Sequence, residues 1–483
     1  MEKVSIKKNF AYSTIYQIIS VITPLITAPY LSRVLGAKAI GIQSYTSSIN
    51  TYFTMFVALG TLSYGSREIS RCRNDVKKRS RTFWEIEIMT LVTFAICIAV
   101  WIVLALCSKE YGIYYMVLTL CLLSTALDIS WFFTGLEQFK LIVVRNIIFK
   151  LIGIGCLFLF IHSSDDLLLY IAINSVSTLA SALSVWPYLR RFVVKIPVSE
   201  IHILPHFKET LIYFIPTVAT SVYTILDKTL LGWMTRNNVE IGYYQQAEKI
   251  IIVAKSLVFT SINSVVGVRI SYLFAENRFD EIHQKIRFSM NYIFFMGIGC
   301  MFGLIGVAKN FVPFFFGNGY EGVIQLLYIL SPIVVVIGVS NCLGVQYYTP
   351  SGRRGESTKY LIVGSVINLF FNLLLIPRFL SAGAAFASVI AESVIAILYL
   401  KCCNGFMTVK LILKIGWKKL LSGTLMLVNL LVINDINLSI ISRLGYQVCS
   451  GIAIYAIGLI ILRDEWFIGL INRLIQNLMR KIK

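Results

Sequence analysis

Apolar runs of about twenty residues, separated by short polar stretches, recur from one end of the chain to the other. Each is long enough to cross a hydrocarbon core about 30 Å thick as a helix. The pattern predicts fourteen such segments, at 9–31, 44–63, 86–107, 113–134, 147–162, 168–187, 210–232, 245–268, 288–308, 323–345, 360–376, 383–400, 420–433 and 444–462. The polar stretches between them reach only about 23 residues, too short to fold as a catalytic domain. The tail departs from this pattern. In "RDEWFIGLINRLIQNLMRKIK", Phe467, Leu470, Ile471, Leu474, Ile475, Leu478 and Ile482 recur at helical spacing, while Arg473, Asn477, Arg480 and Lys481 take the other face. That predicts an amphipathic helix lying on a membrane surface.

Composition agrees with a polytopic, all-α membrane protein. Hydrophobic residues make up 57% of the chain, charged residues 14%, and mean hydropathy is +0.76, whereas soluble domains carry about a quarter charged residues. The net charge of +20 is distributed by topology. With the N-terminus in the cytoplasm, inward segments carry 33 of the 44 Lys and Arg and outward segments seven. That asymmetry predicts both termini inside. The densest basic stretch, "REISRCRNDVKKRSR" (67–81), lies beside a membrane surface, which favours anionic lipid over nucleic acid as its partner. The first apolar run is too long for the core of a cleaved signal and is expected to be retained. The ten cysteines show no C-x-x-C spacing, so neither a metal site nor a cofactor is expected.

Two stretches repeat. "LSRVLGAKAIGIQSY" (31–45) and "DKTLLGWMTRNNVEIGYY" (227–244) share a basic residue, apolar residues, Gly, a polar linker, Ile-Gly and an aromatic. "FFTGLEQFKLIVVRNIIFKLIG" (132–153) and "YYTPSGRRGESTKYLIVGSVIN" (347–368) share an aromatic-Thr exit, a basic turn and a new helix. Offsets of six spans relate two lobes of like orientation. The domains expected are an N-lobe at 1–188, a linker at 189–209, a C-lobe at 210–402, spans thirteen and fourteen at 403–462, and the tail at 463–483. The two lobes would enclose a central cavity. Pro24 and Pro29 in span one and Pro216 in span seven mark candidate gating kinks, or kinks that serve packing alone.

Ionisable groups inside spans are costly and mark polar interiors. Lys255 lies near the middle of span eight and Glu392 near the middle of span twelve. Asp227 shares a face with Tyr223 and Thr220, and Glu248 shares one with Lys255. Asp128, Lys150, Lys249 and Arg33 lie nearer span ends, where snorkelling accounts for the lysines equally well. The four histidines are placed in loops, and no triad, phosphate loop or H-E-x-x-H appears, so no catalytic residue is assigned.

The stretches 29–45, "LDISWFFTGLEQFKLIVVRNIIFK" (127–150), "LDKTLLGWMTRNNVEIGYYQQAEKI" (226–250) and "LIPRFLSAGAAFASVIAE" (375–392) resemble the oligosaccharide flippase family (Wzx-type) of the multidrug/oligosaccharidyl-lipid/polysaccharide exporter superfamily. The resemblance implies a flippase of the bacterial cytoplasmic membrane. Its substrate would be undecaprenyl-diphosphate-linked repeat units for capsule or O-antigen-like polysaccharide, moved by alternating access. The cations Arg33, Lys255, Lys150 and Lys249 would hold the diphosphate, and Asp128, Asp227, Glu248 and Glu392 would pair with them or carry a coupling proton. Implied partners are lipid-linked oligosaccharide, membrane lipids and a polysaccharide polymerase, with the chain itself a monomer. A cation-coupled drug exporter is the alternative within transport. A membrane polymerase or glycosyltransferase is the alternative outside it, and would be expected to carry a large outward loop.

Overall fold

The computed structural model describes residues 6–434, 436 and 438–482, and among them every regular element is helical. The fourteen predicted segments fall largely on helices, and those at 44–63, 113–134 and 323–345 each run across a break. Among the described residues, nine helices are individually long and apolar enough to cross a membrane, or ten if one bent pair counts as a span. The chain divides into two compact units, one ending at Gly242 and the other beginning at Tyr243.

The first unit opens with α1 (Ile6–Ala58), which holds predicted spans one and two end to end. They meet at Gly36, whose φ of 77° and ψ of 170° break the helix. A side chain would strain that backbone, so glycine makes the kink cheap. Helical dihedrals persist through Pro24 and Pro29. Nearby hydroxyls bond back to carbonyls one turn earlier, Thr23 to Ile19 at 2.7 Å, Thr27 to Thr23 at 3.0 Å and Ser32 to Ala28 at 2.7 Å. Such back-bonding bends helices gently, so the break in α1 belongs to Gly36.

Next come α2 (Thr61–Cys72), α3 (Val76–Cys107), α4 (Gly112–Ala126), α5 (Ser130–Gly135), α6 (Phe139–Phe160), α7 (Leu167–Leu183) and the single turn α8 (Trp186–Leu189). The predicted linker is pinned. Buried Arg79 donates to the Phe192 carbonyl at 2.6 and 3.1 Å and to the Arg73 carbonyl at 2.6 Å. From it rises α9 (Ile203–Thr235). The side chains of Pro216, Thr220 and Tyr223 in this helix lie outside the described residues.

The last residues of the unit begin α10 (Asn238–Lys255). Here the first repeat has a physical meaning. An offset of 201 residues pairs Ala37 with Asn238 and Gly41 with Gly242. A Cβ on Gly41 would overlap the Asn238 carbonyl, and one on Gly242 would overlap the Ala37 carbonyl. The two Ile-Gly signatures are thus reciprocal backbone contacts, the close approach that small residues permit between membrane helices.

In the second unit α10 ends at Lys255 and passes through a π-helical stretch, Ser256–Thr260, into α11 (Ser261–Ala275). Then follow α12 (Phe279–Phe316), α13 (Glu321–Leu330) and α14 (Ile333–Leu343), the last running into a second π-helical stretch, Gly344–Tyr348. Spans eleven and twelve form one long helix, α15 (Arg354–Lys401), broken at Leu380 with φ 50° and ψ −130°. The chain ends with α16 (Val409–Ile433), α17 (Ile440–Ile461) and the amphipathic α18 (Glu465–Ile482).

Candidate functional site

Within the first unit, Arg33 sits on α1 three residues before the Gly36 bend and is exposed. Lys150, on α6, donates to Ser20 Oγ at 3.2 Å and lies 5.8 Å from the ring centre of Tyr16, so its ammonium ties α6 to α1. Asp227 is 4% exposed on α9 and within electrostatic reach of the Tyr52 hydroxyl on α1, which accepts a hydrogen bond from Thr229 at 3.4 Å.

Asp128 has a structural explanation. It closes the break between α4 and α5, accepting from the Ser130 amide at 3.0 Å and from the Ser130 hydroxyl. Its ion pair, at 2.9 Å, is with Arg145 on α6. Arg145 is only 8% exposed and also donates to the Ser181 carbonyl on α7 at 2.8 Å. Asp128 therefore joins three helices, paired with an arginine that the apolar pattern had left in a loop. The aromatic residues that follow it, Trp131, Phe132 and Phe133, are buried in a cluster with Phe83.

The histidines need a correction too. His206 lies in the first turn of α9 and His283 in the first turns of α12, not in loops. His206 bridges Tyr64, 2.7 Å from its hydroxyl, and Glu85 at 2.9 Å. Glu85 also accepts from the His202 amide at 2.9 Å and from Arg81 at 3.0 Å. This knot fastens the start of α9 to α2 and α3.

In the second unit Glu248 and Lys255 share a face of α10, both half-buried, with Lys249 beside Glu248. Lys255 is the last residue before the π-helical stretch, a feature frequent at functional sites in membrane and soluble helices alike. On the far side of that stretch, Asn263 donates to Asn341 and accepts from Gln346 at 2.9 Å. Gln346 belongs to the second π-helical stretch. The carboxamides thus link α11, just beyond the first π-helical stretch, to α14 and the second stretch, and Asn263 stands two turns from Lys255. Glu392 is 5% exposed on α15, one turn from Ser388, whose hydroxyl meets that of Tyr244 at 3.3 Å.

Four groups escaped the sequence pattern. Arg145 precedes its apolar run by two residues, yet α6 begins six residues earlier. Glu87, at the edge of predicted span three, is enclosed on α3 beside Trp131. Lys419, 1% exposed on α16, pairs with Asp464 at 2.9 Å across 45 residues of sequence. All four lie outside the predicted apolar runs or at their edges, and only tertiary structure reveals their burial.

Buried ionisable groups thus lie on bent and π-interrupted helices of a multi-span membrane protein. Its fold is that of the lipid II flippase MurJ in an inward closed conformation, with a TM-score of 0.74 at 16% identity, covering 94% of this chain and 99% of that one. An inward-facing multidrug MATE transporter of the MOP superfamily matches with a TM-score of 0.58 at 12% identity, over 84% of this chain and 98% of that one. Residues 6–274 match the family described as polysaccharide biosynthesis protein, and the chain belongs to that family. A putative O-antigen transporter of Escherichia coli (strain K12) is 24% identical over 403 residues, 82% of this chain and 96% of the relative. A probable low-salt glycan biosynthesis flippase of Haloferax volcanii is 23% identical over 198 residues, 40% of this chain and 41% of the relative. The resemblance read from the sequence motifs is borne out.

Proposed function

We propose that this protein flips undecaprenyl-diphosphate-linked oligosaccharide repeat units from the inner to the outer leaflet of a bacterial cytoplasmic membrane, for surface polysaccharide assembly. The observation that carries the reading is the match to a putative O-antigen transporter along 82% of the chain. Family membership and the MurJ-like fold support it.

Chemistry dictates what such a protein must supply. A diphosphate headgroup cannot enter hydrocarbon unaided, and a cationic side chain in a hydrated cleft offsets its desolvation. Lys255 and Arg33 are the residues assigned to this work, with Lys249 assisting. Lys150 is held against α1 and plays a lesser part. Of the acids, Asp227, Glu248 and Glu392 remain candidates for charge pairing or proton coupling. Asp128 is better described as a structural ion pair. The carboxamides of Asn263, Asn341 and Gln346 suit hydroxyl-rich sugars, because amides both donate and accept. Exchange between inward- and outward-open states, with both termini in the cytoplasm, completes the reading.

The test is leaflet exposure of lipid-linked repeat units in cells lacking this gene. Accumulation on the inner leaflet, reversed by wild type but not by well-expressed Lys255→Ala, is expected. Rescue by both proteins would keep the flippase and remove Lys255 from its site. Unchanged outer-leaflet exposure, with no second flippase present, would overturn the reading in favour of drug export.

A further inference from the structure

A cavity of about 550 Å³ opens where α12, α16 and the start of α18 meet, on the side that the Lys and Arg distribution assigns to the cytoplasm. It lies among polar helix ends, apart from Lys255 and the other groups assigned to flipping. We propose that it binds the phosphate headgroup of an anionic membrane phospholipid.

The floor of the cavity is electrically closed. Lys419 Nζ contacts Asp464 at 2.9 Å, Asn291 at 3.2 Å and the Ile415 carbonyl at 3.0 Å. The second oxygen of Asp464 accepts from the Phe467 amide at 2.9 Å at the start of α18. Lysine and aspartate therefore satisfy each other, and neither is left to attract a ligand.

The rim is different. Arg287 and Lys414 are exposed, and among the described residues neither has a carboxylate within ion-pair distance. Lys418 completes the arc, held in place by the Arg463 carbonyl at 2.8 Å. Beside Asp464, which Lys419 neutralises, the exposed Glu465 is the one further acid among the described lining residues. The rim thus carries an excess of positive charge around a space large enough for a phosphodiester and its polar substituent.

Two further features make the ligand a lipid. Trp417 and Trp466 line the same cavity, and tryptophan concentrates where membrane meets water. One to two turns along α16, Leu420, Leu421 and Leu425 present exposed apolar surface. Positive charge at an interface, tryptophan around it and exposed leucine further along the helix suit an amphiphile with a phosphate head and acyl tails. Basic pockets between helices on the cytoplasmic side bind such headgroups. The ligand would bridge α12 and α16 to α18 and hold the amphipathic tail on the membrane.

The experiment measures binding of phosphatidylglycerol to the purified full-length protein in nanodiscs otherwise made of phosphatidylcholine. Arg287→Gln combined with Lys414→Gln removes two rim charges at exposed positions, where folding is not at stake. Its affinity is expected to fall roughly thirtyfold, as two cations beside a membrane surface predict. Lys359→Gln combined with Lys401→Gln removes the same charge from exposed positions elsewhere on the protein and is expected to bind like wild type. Equal loss in both double variants would reduce the effect to general surface charge and overturn the site. Competition by inorganic phosphate as effective as by the lipid would make it a free-phosphate site. Preference for undecaprenyl phosphate over phosphatidylglycerol would make it a carrier-lipid site. Either result overturns the proposal while leaving the flippase reading to its own assay.

Discussion

The aromatic-Thr motif occurs once in each half of the chain, and the two copies bury their aromatic residues by different means. In the first unit Trp131, Phe132 and Phe133 are consecutive and all buried. Consecutive residues of a straight α-helix point about 100° apart, so one neighbour cannot cover all three. Here α5 is only six residues long and is enclosed on several sides. Phe83 stacks on Trp131 with ring centres 5.6 Å apart and meets Phe132 edge-on at 5.1 Å. In the second unit the pair is Tyr347 and Tyr348, buried on a π-helical turn. Each hydroxyl there needs a partner. Tyr348 donates to the Tyr399 carbonyl at 3.0 Å, and Arg353 donates to Tyr347 at 2.8 Å. One copy is held by volume and the other by hydrogen bonds.

That contrast predicts a hierarchy of damage. The largest effect belongs to Trp131→Ala. The indole is enclosed, and a side chain on Gly65 would overlap its ring, so the site is packed from every direction. Truncation should cost about 3–5 kcal/mol, the usual range for large-to-small changes at buried aromatics. Thermal unfolding of the purified protein in detergent checks it. A loss below about 1 kcal/mol would mean that the cluster collapses to fill the void, which is the liquid-like behaviour that dense packing excludes.

Tyr348→Phe tests the other copy. It keeps the ring and removes one hydroxyl, leaving the Tyr399 carbonyl without that donor. A loss of about 1 kcal/mol is expected, the net worth of an ordinary hydrogen bond. The same unfolding measurement reads it. If Tyr348→Phe cost as much as Trp131→Ala, the division between volume and hydrogen bonding would fail.

How legible these features are from sequence follows the same division. Apolar runs reveal helices directly, because hydrocarbon demands that backbone groups be satisfied within the segment. So the predicted segments fall largely on helix, and the Ile-Gly repeat singles out Gly41 and Gly242, whose contact only the structure shows. What hydropathy cannot show is a hydrogen-bond partner distant in sequence. Asp128 looked like a charge awaiting a cavity cation. Its partner is Arg145, which a hydropathy window excludes from the span by two residues. Lys419 and Asp464 lie outside the predicted spans and 45 residues apart, with nothing in the pattern to join them. The π-helical turns at Ser256–Thr260 and Gly344–Tyr348 also left no trace in the pattern, since one extra residue per turn alters register and not hydrophobicity. Lys255 was singled out for its depth, and its place beside such a turn was a separate finding.

The smallest expected effect sharpens the comparison most. Arg353 lies between the membrane helices α14 and α15, pairs with Glu356 through two bonds of 2.7 and 2.5 Å, and sits 5.6 and 5.3 Å from the ring centres of Tyr347 and Tyr348. Its pKa is raised above the ordinary arginine value, chiefly by the hydrogen bond with Glu356. Arg353→Lys keeps the charge and loses the planar fork, so it separates geometry from electrostatics. The side chain is 22% exposed, which weakens the pair through solvent screening, and the expected loss is about 0.5–1 kcal/mol. The polar copy should then be more sensitive to this change than to salt, because a fork and a stacked plane are lost and the charge is not. Unfolding at low and high ionic strength decides between them. A deficit that vanishes in high salt would show that charge alone holds Tyr347 and Tyr348 in place. A deficit that persists shows that the tyrosine cluster depends on the shape of the guanidinium, as the phenylalanine cluster depends on the shape of an indole.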